Sequence, residues 1–246
     1  MNEKANEYSW FPLIVVACAS FIIVLDSFFM NVSISRIVVD LNTDVSTIQM
    51  IVSFCTLITA ALILFSTKLQ DIVGKKKLFV IGAALFGIGI LATVLSSSVI
   101  MLFVGWSAVK GVAAALMLPA IVSIISGIYS GRKRTIALAT LGVMAGLADI
   151  LAPLLGGLIT TFFSWRYTFA FELIFILFIL VMQNKIPDFK PTESKSDLDI
   201  IGAILSGICL LLLVLGILTL TKDVAASIIE IILGLIVLAI FIRFEL

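Results

Sequence analysis

Three features point to an all-α integral membrane protein: the apolar content, the length of the apolar runs, and the placement of the basic residues between them. Of 246 residues, 62% are apolar and 13% charged, whereas soluble globular domains carry about 25% charged residues. A water-soluble core cannot absorb that much apolar surface. Eight runs approach the roughly 20 residues that a helix rising about 1.5 Å per residue needs to cross about 30 Å of hydrocarbon. Helices are expected because an open sheet would leave backbone groups unpaired in lipid, and the strict alternation of a barrel strand is missing.

Taken in order, residues 1–11 form a polar N-terminus, followed by a six-helix bundle over 12–183 with spans at 12–34, 48–67, 78–96, 100–121, 138–160 and 167–183. Arg36 separates spans 1 and 2, Lys68 to Lys77 spans 2 and 3, Arg132 to Arg134 spans 4 and 5, and Arg166 spans 5 and 6. The polar stretch from Gln183 to Asp199 carries Pro187, Pro191 and mixed charge, so 184–199 reads as a linker. Two additional spans follow over 200–243, at 200–220 and 225–243, with Lys222 between them and 244–246 beyond.

Basic residues set the orientation. With a cytoplasmic N-terminus, Lys4, Lys68, Lys75, Lys76, Lys77, Arg132, Lys133, Arg134, Lys185, Lys190, Lys195 and Arg243 all lie inside, twelve in number, against Arg36, Arg166 and Lys222 outside. Both termini are therefore expected in the cytoplasm and the protein in the cell membrane, with the lipid bilayer as its first partner. A net charge of +1 gives no reason to expect nucleic acid. Cys18, Cys55 and Cys209 lie far apart inside apolar runs, with no histidine in the chain to complete a metal site, and no Gly-x-x-x-x-Gly-Lys-Ser/Thr loop is present. No cofactor or metal is expected. Nor is an enzyme, since no nucleophile or His-rich constellation exists. Val15-Val16-Ala17-Cys18 is similar to a lipoprotein cleavage box, but it lacks a basic n-region and the apolar run continues past it.

Five ionisable residues fall within the spans: Asp26, Lys110, Asp149, Glu172 and Glu230. A charge at mid-membrane costs at least about 2.5 to 3.5 kcal/mol on insertion scales, so each is expected to face a partner or a watered cavity. Glu230 lies near enough to a span end to reach the interface. With no histidine, a proton handled near neutral pH must sit on a carboxylate or lysine. Lys110 and Asp149 lie at a common depth of roughly 15 Å on spans consecutive in sequence, which predicts a buried pair. Gly142 and Gly146, with Gly156 and Gly157, predict close helix packing.

Several stretches together carry a family resemblance. The loop Thr67-Lys68-Leu69-Gln70-Asp71-Ile72-Val73-Gly74-Lys75-Lys76-Lys77 resembles the major facilitator signature Gly-x-Leu-Ala-Asp-x-x-Gly-Arg-Lys, matching at Asp71, Gly74 and Lys75. Leu25-Asp26-Ser27-Phe28-Phe29-Met30-Asn31-Val32 resembles the Leu-Asp-x-x-x-Val-Asn-Val of helix 1 in fourteen-span drug:proton antiporters of the EmrB/QacA type. Ala152-Pro153-Leu154-Leu155-Gly156-Gly157 resembles the antiporter motif Gly-Pro-x-x-Gly-Gly, and Ser164-Trp165-Arg166-Tyr167-x-Phe169 the start of helix 6. The sequence departs from the pattern at Ser107, where an arginine is usual, and at Glu172 and Ile174, which stand for asparagine and proline.

The resemblance implies a major facilitator N-terminal six-helix bundle plus two further transmembrane helices, and proton-coupled efflux of amphipathic or cationic organic compounds. It implies a substrate cavity lined by spans 1, 2, 4 and 5, with Asp26, Glu172, Lys110 and Asp149 as substrate or proton-binding residues. Asp71, Gly74 and Lys75 would form a latch between bundles, and Pro153, Gly156 and Gly157 a second conformational motif. Small-molecule substrates and protons are then partners, as is a second helical bundle missing from these 246 residues, which implies a fragment or a truncated product. A carrier of another solute, or a non-transporting truncated membrane protein, are the alternatives.

Overall fold

The computed structural model describes residues 9–189, 200–220 and 224–245. Among them are eight long helices: α1 Phe11–Asp40, α2 Val45–Val73, α3 Lys75–Val94, α4 Val99–Ile128, α5 Gly131–Phe162, α6 Trp165–Met182, α7 Ile200–Thr219 and α8 Val224–Glu245. No strand occurs among the described residues, so the all-α expectation holds. Seven of the eight are long and apolar enough to cross a membrane. Residues 190–199, most of the expected linker, lie outside the described residues.

Short polar segments start and stop the helices. Asp44 accepts from the Thr47 backbone N–H at 2.9 Å to cap α2, and Ser98 accepts from Met101 N at 3.2 Å to cap α4. Such caps satisfy donors that the first turn leaves free. The α2 to α3 turn is a single residue, Gly74, at φ 103°, a conformation that L side chains rarely adopt.

α1 packs along α5 and α6, α2 along α4, and α3 along α4 and α6; α7 and α8 pair with each other, and α7 lies against α2. Inside sit Phe29, Phe79, Phe86 and Phe169 with no more than 1% exposed. Outward faces are apolar too, with Ile88, Val122, Leu154 and Phe162 among the exposed side chains. Such apolar outward faces suit contact with lipid.

Two clusters tie the ends of the helices. At the Asp40 end, Arg166 donates to Asp40 Oδ2 and to the Ser96 carbonyl, both at 2.6 Å, while the Trp165 indole N–H donates to the same Asp40 oxygen at 3.1 Å. This joins the ends of α1, α3 and α6. At the Gly74 end, Asp188 pairs with Lys76 at 3.0 Å, and Phe189 lies under the Lys75 ammonium and against Gly127. The Tyr129 ring stacks on Trp10 at 5.3 Å and its hydroxyl donates to the Ser9 carbonyl.

The glycine expectation needs a partial correction. A Cβ at Gly156 would meet Phe29 of α1 at 3.0 Å, so close packing holds there, but Gly142, Gly146 and Gly157 meet nothing within 4 Å.

Candidate functional site

The interior of the bundle is built around one lysine. Lys110 is 1% exposed, and its ammonium bonds Asp26 of α1 and stands 3.7 Å from Glu172 Oε2 of α6. Asp26 and Glu172 are 4% and 0% exposed, so three ionisable groups share a buried centre. The Trp106 indole N–H donates to Asp26 Oδ1 at 3.2 Å. Phe169, Phe86 and Trp106 present ring faces to the ammonium at 4.9, 5.0 and 5.6 Å from their centroids, an arrangement that favours a cation in a low-dielectric setting. Both Glu172 oxygens lack a hydrogen-bond partner among the described residues.

Backbone geometry puts Lys110 there. Phe103–Val109 forms a π-helical segment within α4, and the Lys110 N–H donates to the Gly105 carbonyl five residues back. A π-turn shifts the register of everything after it, and such turns recur at functional sites. Gly89 of α3 completes the cradle. A Cβ there would collide with Lys110 Cγ and lie 2.9 Å from the Gly105 oxygen. Ser107, in the π segment, is fully buried and donates to the Ile51 carbonyl at 2.9 Å, and Thr59 donates to the Gly111 carbonyl at 3.1 Å. These bonds zip α2 to α4 without placing a charge between them.

A cleft of about 580 Å³ opens beside the cluster. α1 contributes Asp26, Ser27 and Asn31, α2 contributes Cys55, Thr56 and Thr59 among others, and α4 contributes Trp106, Lys110 and Leu118, with Phe86 from α3. The wall is mostly apolar, with its charge at one point. That composition suits a molecule with a large apolar body and a single charged group.

Of the residues picked from sequence, Asp26, Lys110 and Glu172 come together and Asp149 does not. The expected Lys110–Asp149 pair is absent. Equal depth fixes height but not direction: α5 packs along α1 with Asp149 on its exposed side, while Lys110 points inward between α1, α3 and α6. The cavity expectation is corrected in the same way, since α5 lines none of the cleft and Phe86 of α3 does. Glu172 lies behind Lys110 rather than on the cleft wall. Pro153 is exposed inside α5, and having no N–H it leaves the Asp149 carbonyl without its helical donor. Asp71 is half-buried and forms no ion pair among the described residues. Lys75 and its neighbour Lys76 are instead engaged by Phe189 and Asp188. Glu230 accepts from the Thr219 hydroxyl at 2.6 Å, between α7 and α8. Sequence reasoning did not find Trp106, Phe86 or Gly89, and met Phe169 only within the helix 6 motif; none carries a charge to draw attention.

Comparison with known proteins agrees with this architecture. Residues 16–242 match the family profile described as Major Facilitator Superfamily. The chain is 27% identical over 228 residues to a lincomycin resistance protein of Streptomyces lincolnensis, covering 90% of this chain and 46% of that protein. It is 26% identical to the riboflavin transporter RibZ of Clostridioides difficile, covering 84% and 45%, and 31% identical to the quinolone resistance protein NorB of Staphylococcus aureus, covering 70% and 37%. A crystal structure of the peptide transporter POT in complex with sulfate superposes with a TM-score of 0.70 at 19% identity, over 94% of this chain and 51% of that one. The chain thus spans about half the length of the relatives it matches.

Proposed function

Because the chain belongs to the Major Facilitator Superfamily, we propose that it is part of a secondary active carrier that exports amphipathic or cationic organic compounds in exchange for protons. The observation that carries this reading is the Asp26–Lys110–Glu172 cluster beside the cleft. With both carboxylates ionised and the lysine charged, its formal charge is −1. One proton neutralises it, and so does one organic cation, but both together leave an uncompensated positive charge in a buried site, which is strongly disfavoured. Mutual exclusion of proton and cation is what an exchanger needs. Rocking of helical bodies about such a site then changes the side to which it opens.

Resistance proteins among the similar sequences support the substrate class. A second helical bundle facing the open side of the cleft would supply its other wall, in keeping with relatives about twice as long. The membrane is the cell membrane and both termini are cytoplasmic, the orientation that the basic residues favour. Asp71, Gly74 and Lys75 at the α2 to α3 turn, and Pro153, Gly156 and Gly157 on α5, would mark where the bundles meet and move. A carrier of another solute on the same fold is the second reading, favoured by the similarity to a riboflavin transporter.

The test is transport in everted vesicles from cells expressing the protein. Adding a lipophilic cation such as ethidium to vesicles holding a proton gradient should dissipate that gradient and accumulate the dye, and Asp26→Asn should abolish both at unchanged protein level. Dye accumulation that survives full collapse of the proton gradient, or is untouched by Asp26→Asn, would remove the reading.

A further inference from the structure

Asp26 and Glu172 hold unequal positions around the same ammonium. Asp26 lines the cleft, bonds Lys110 and accepts from Trp106, whereas Glu172 is sealed from the cleft, wholly buried, and has no hydrogen-bond partner for either oxygen among the described residues. Yet Glu172 Oε2 lies only 3.7 Å from Lys110 Nζ. A charge-assisted N–H···O bond closes at about 2.7 to 2.9 Å, so roughly one ångström of movement by a lysine stem with four rotatable methylenes would make that bond. The space along the stem exists because Gly89 carries no side chain.

We propose that Lys110 shuttles between the two carboxylates, and that Glu172 is the positioning residue that receives it when an organic cation occupies Asp26. This rests on the export reading above. With Glu172 protonated, Lys110 stays on Asp26 and closes the cleft carboxylate to cations. When Glu172 loses its proton, its O–H bond breaks, the proton passes by way of the neighbouring Asp26 carboxylate on the cleft wall to water, and Lys110 crosses to the new carboxylate. Asp26 is then open to the substrate cation. Protonation of Glu172 reverses every step, returns Lys110 to Asp26 and expels the cation. The proton is thus carried by one carboxylate and the substrate by the other, with the lysine transmitting between them.

Few other groups can interfere. Of the elements packed against α6 near Glu172, α1 brings Asp26 and α3 has no ionisable residue between Lys77 and Val94. α5 has only Asp149 at this depth, on its exposed side. From α4 the one charged group at this depth is Lys110 itself.

The experiment uses the purified protein in lipid nanodiscs, with tetraphenylphosphonium as the cation and a pH dye in weak buffer. Wild type should bind the cation more weakly as pH falls and release close to one proton per cation bound. Glu172→Gln, checked for monodispersity and helical content, should lose at least about tenfold in affinity, as expected when a buried charge lacks its counter-charge, and should release no proton. Glu172→Asp should restore the release. Glu172→Gln that binds with wild-type affinity, or still releases a proton, overturns the shuttle while leaving export intact. Failure of wild type to bind any tetraphenylphosphonium overturns the export reading and the shuttle together.

Discussion

Removing the central cation is the sharpest perturbation of this bundle. In Lys110→Met the side chain keeps most of its length, so little packing is lost, but Asp26 retains only the Trp106 indole at 3.2 Å and Glu172 retains nothing. Breaking a buried ion pair by deleting one partner costs about 3 to 5 kcal/mol, a large part of the roughly 5 to 15 kcal/mol that holds a domain folded. Uptake of a proton by one carboxylate would offset some of this, so a loss of about 3 kcal/mol is expected near neutral pH. Reversible unfolding by SDS titration of the protein in mixed micelles, followed by tryptophan fluorescence, would measure it. The companion variants decide which contacts matter. Asp26→Asn added to Lys110→Met should recover a large part of the loss, because the lone carboxylate is removed, whereas Asp149→Asn should add to it independently within about 0.5 kcal/mol. A Lys110→Met protein within about 0.5 kcal/mol of wild type, or one rescued by Asp149→Asn and not by Asp26→Asn, would refute the arrangement.

Gly89→Ala should cost about 1 to 3 kcal/mol through overpacking against Lys110 and the Gly105 carbonyl, while Gly142→Ala, with open space around it, should be neutral or slightly stabilising in the same unfolding assay. Asp44 lies outside the spans, and the Thr47 hydroxyl and backbone N–H hold its carboxyl below the usual range. Its folded-state value is thus depressed, so its contribution is complete above the unfolded value of about 3.9 and disappears as pH falls through the lower folded one; thermal melts of wild type and Asp44→Ala should differ at neutral pH, begin to approach each other below about pH 4 and converge only at still lower pH. A cysteine placed at Asn42 in a background without the three native cysteines should react with a membrane-impermeant maleimide added to whole cells, and one at Gly131 should not; the reverse pattern would invert the proposed orientation.

Much of the fold was legible because lipid leaves few options. Apolar runs long enough to span, separated by basic or polar turns, dictate helices and their order, and the described helices extend past the apolar runs mainly because polar ends such as Ser35 to Asp40 and Lys68 to Asp71 continue the same turns. The three members of the central cluster were also visible, since an ionisable residue among apolar neighbours stands out. Their pairing was not. Depth can be counted along a sequence, but the direction of a side chain depends on which helices are neighbours and on every irregularity in the turns before it. The π segment from Phe103 to Val109 is such an irregularity, and nothing in Phe-Val-Gly-Trp-Ser-Ala-Val announces it. Chain adjacency suggested Asp149, while the packing of α1 and α6 around α4's lysine selected Asp26 and Glu172.

Two departures from the resembled pattern find a common explanation in that cluster. Where an arginine is usual, Ser107 is fully buried and its hydroxyl is spent on the Ile51 carbonyl, so this position joins α4 to α2 without a charge. The cation sits three residues later, at Lys110, on the side of α4 that faces α1 and α6. On that side a lone lysine and Asp26 would already balance each other. Glu172, standing where asparagine is usual, puts a second acidic group 3.7 Å from that ammonium. An amide there would donate as well as accept and would leave the pair balanced; a carboxyl group adds a second acid beside the single ammonium. The two departures, a lysine on α4 and an acid on α6, thus stand side by side in the folded bundle, each the other's nearest charged partner besides Asp26.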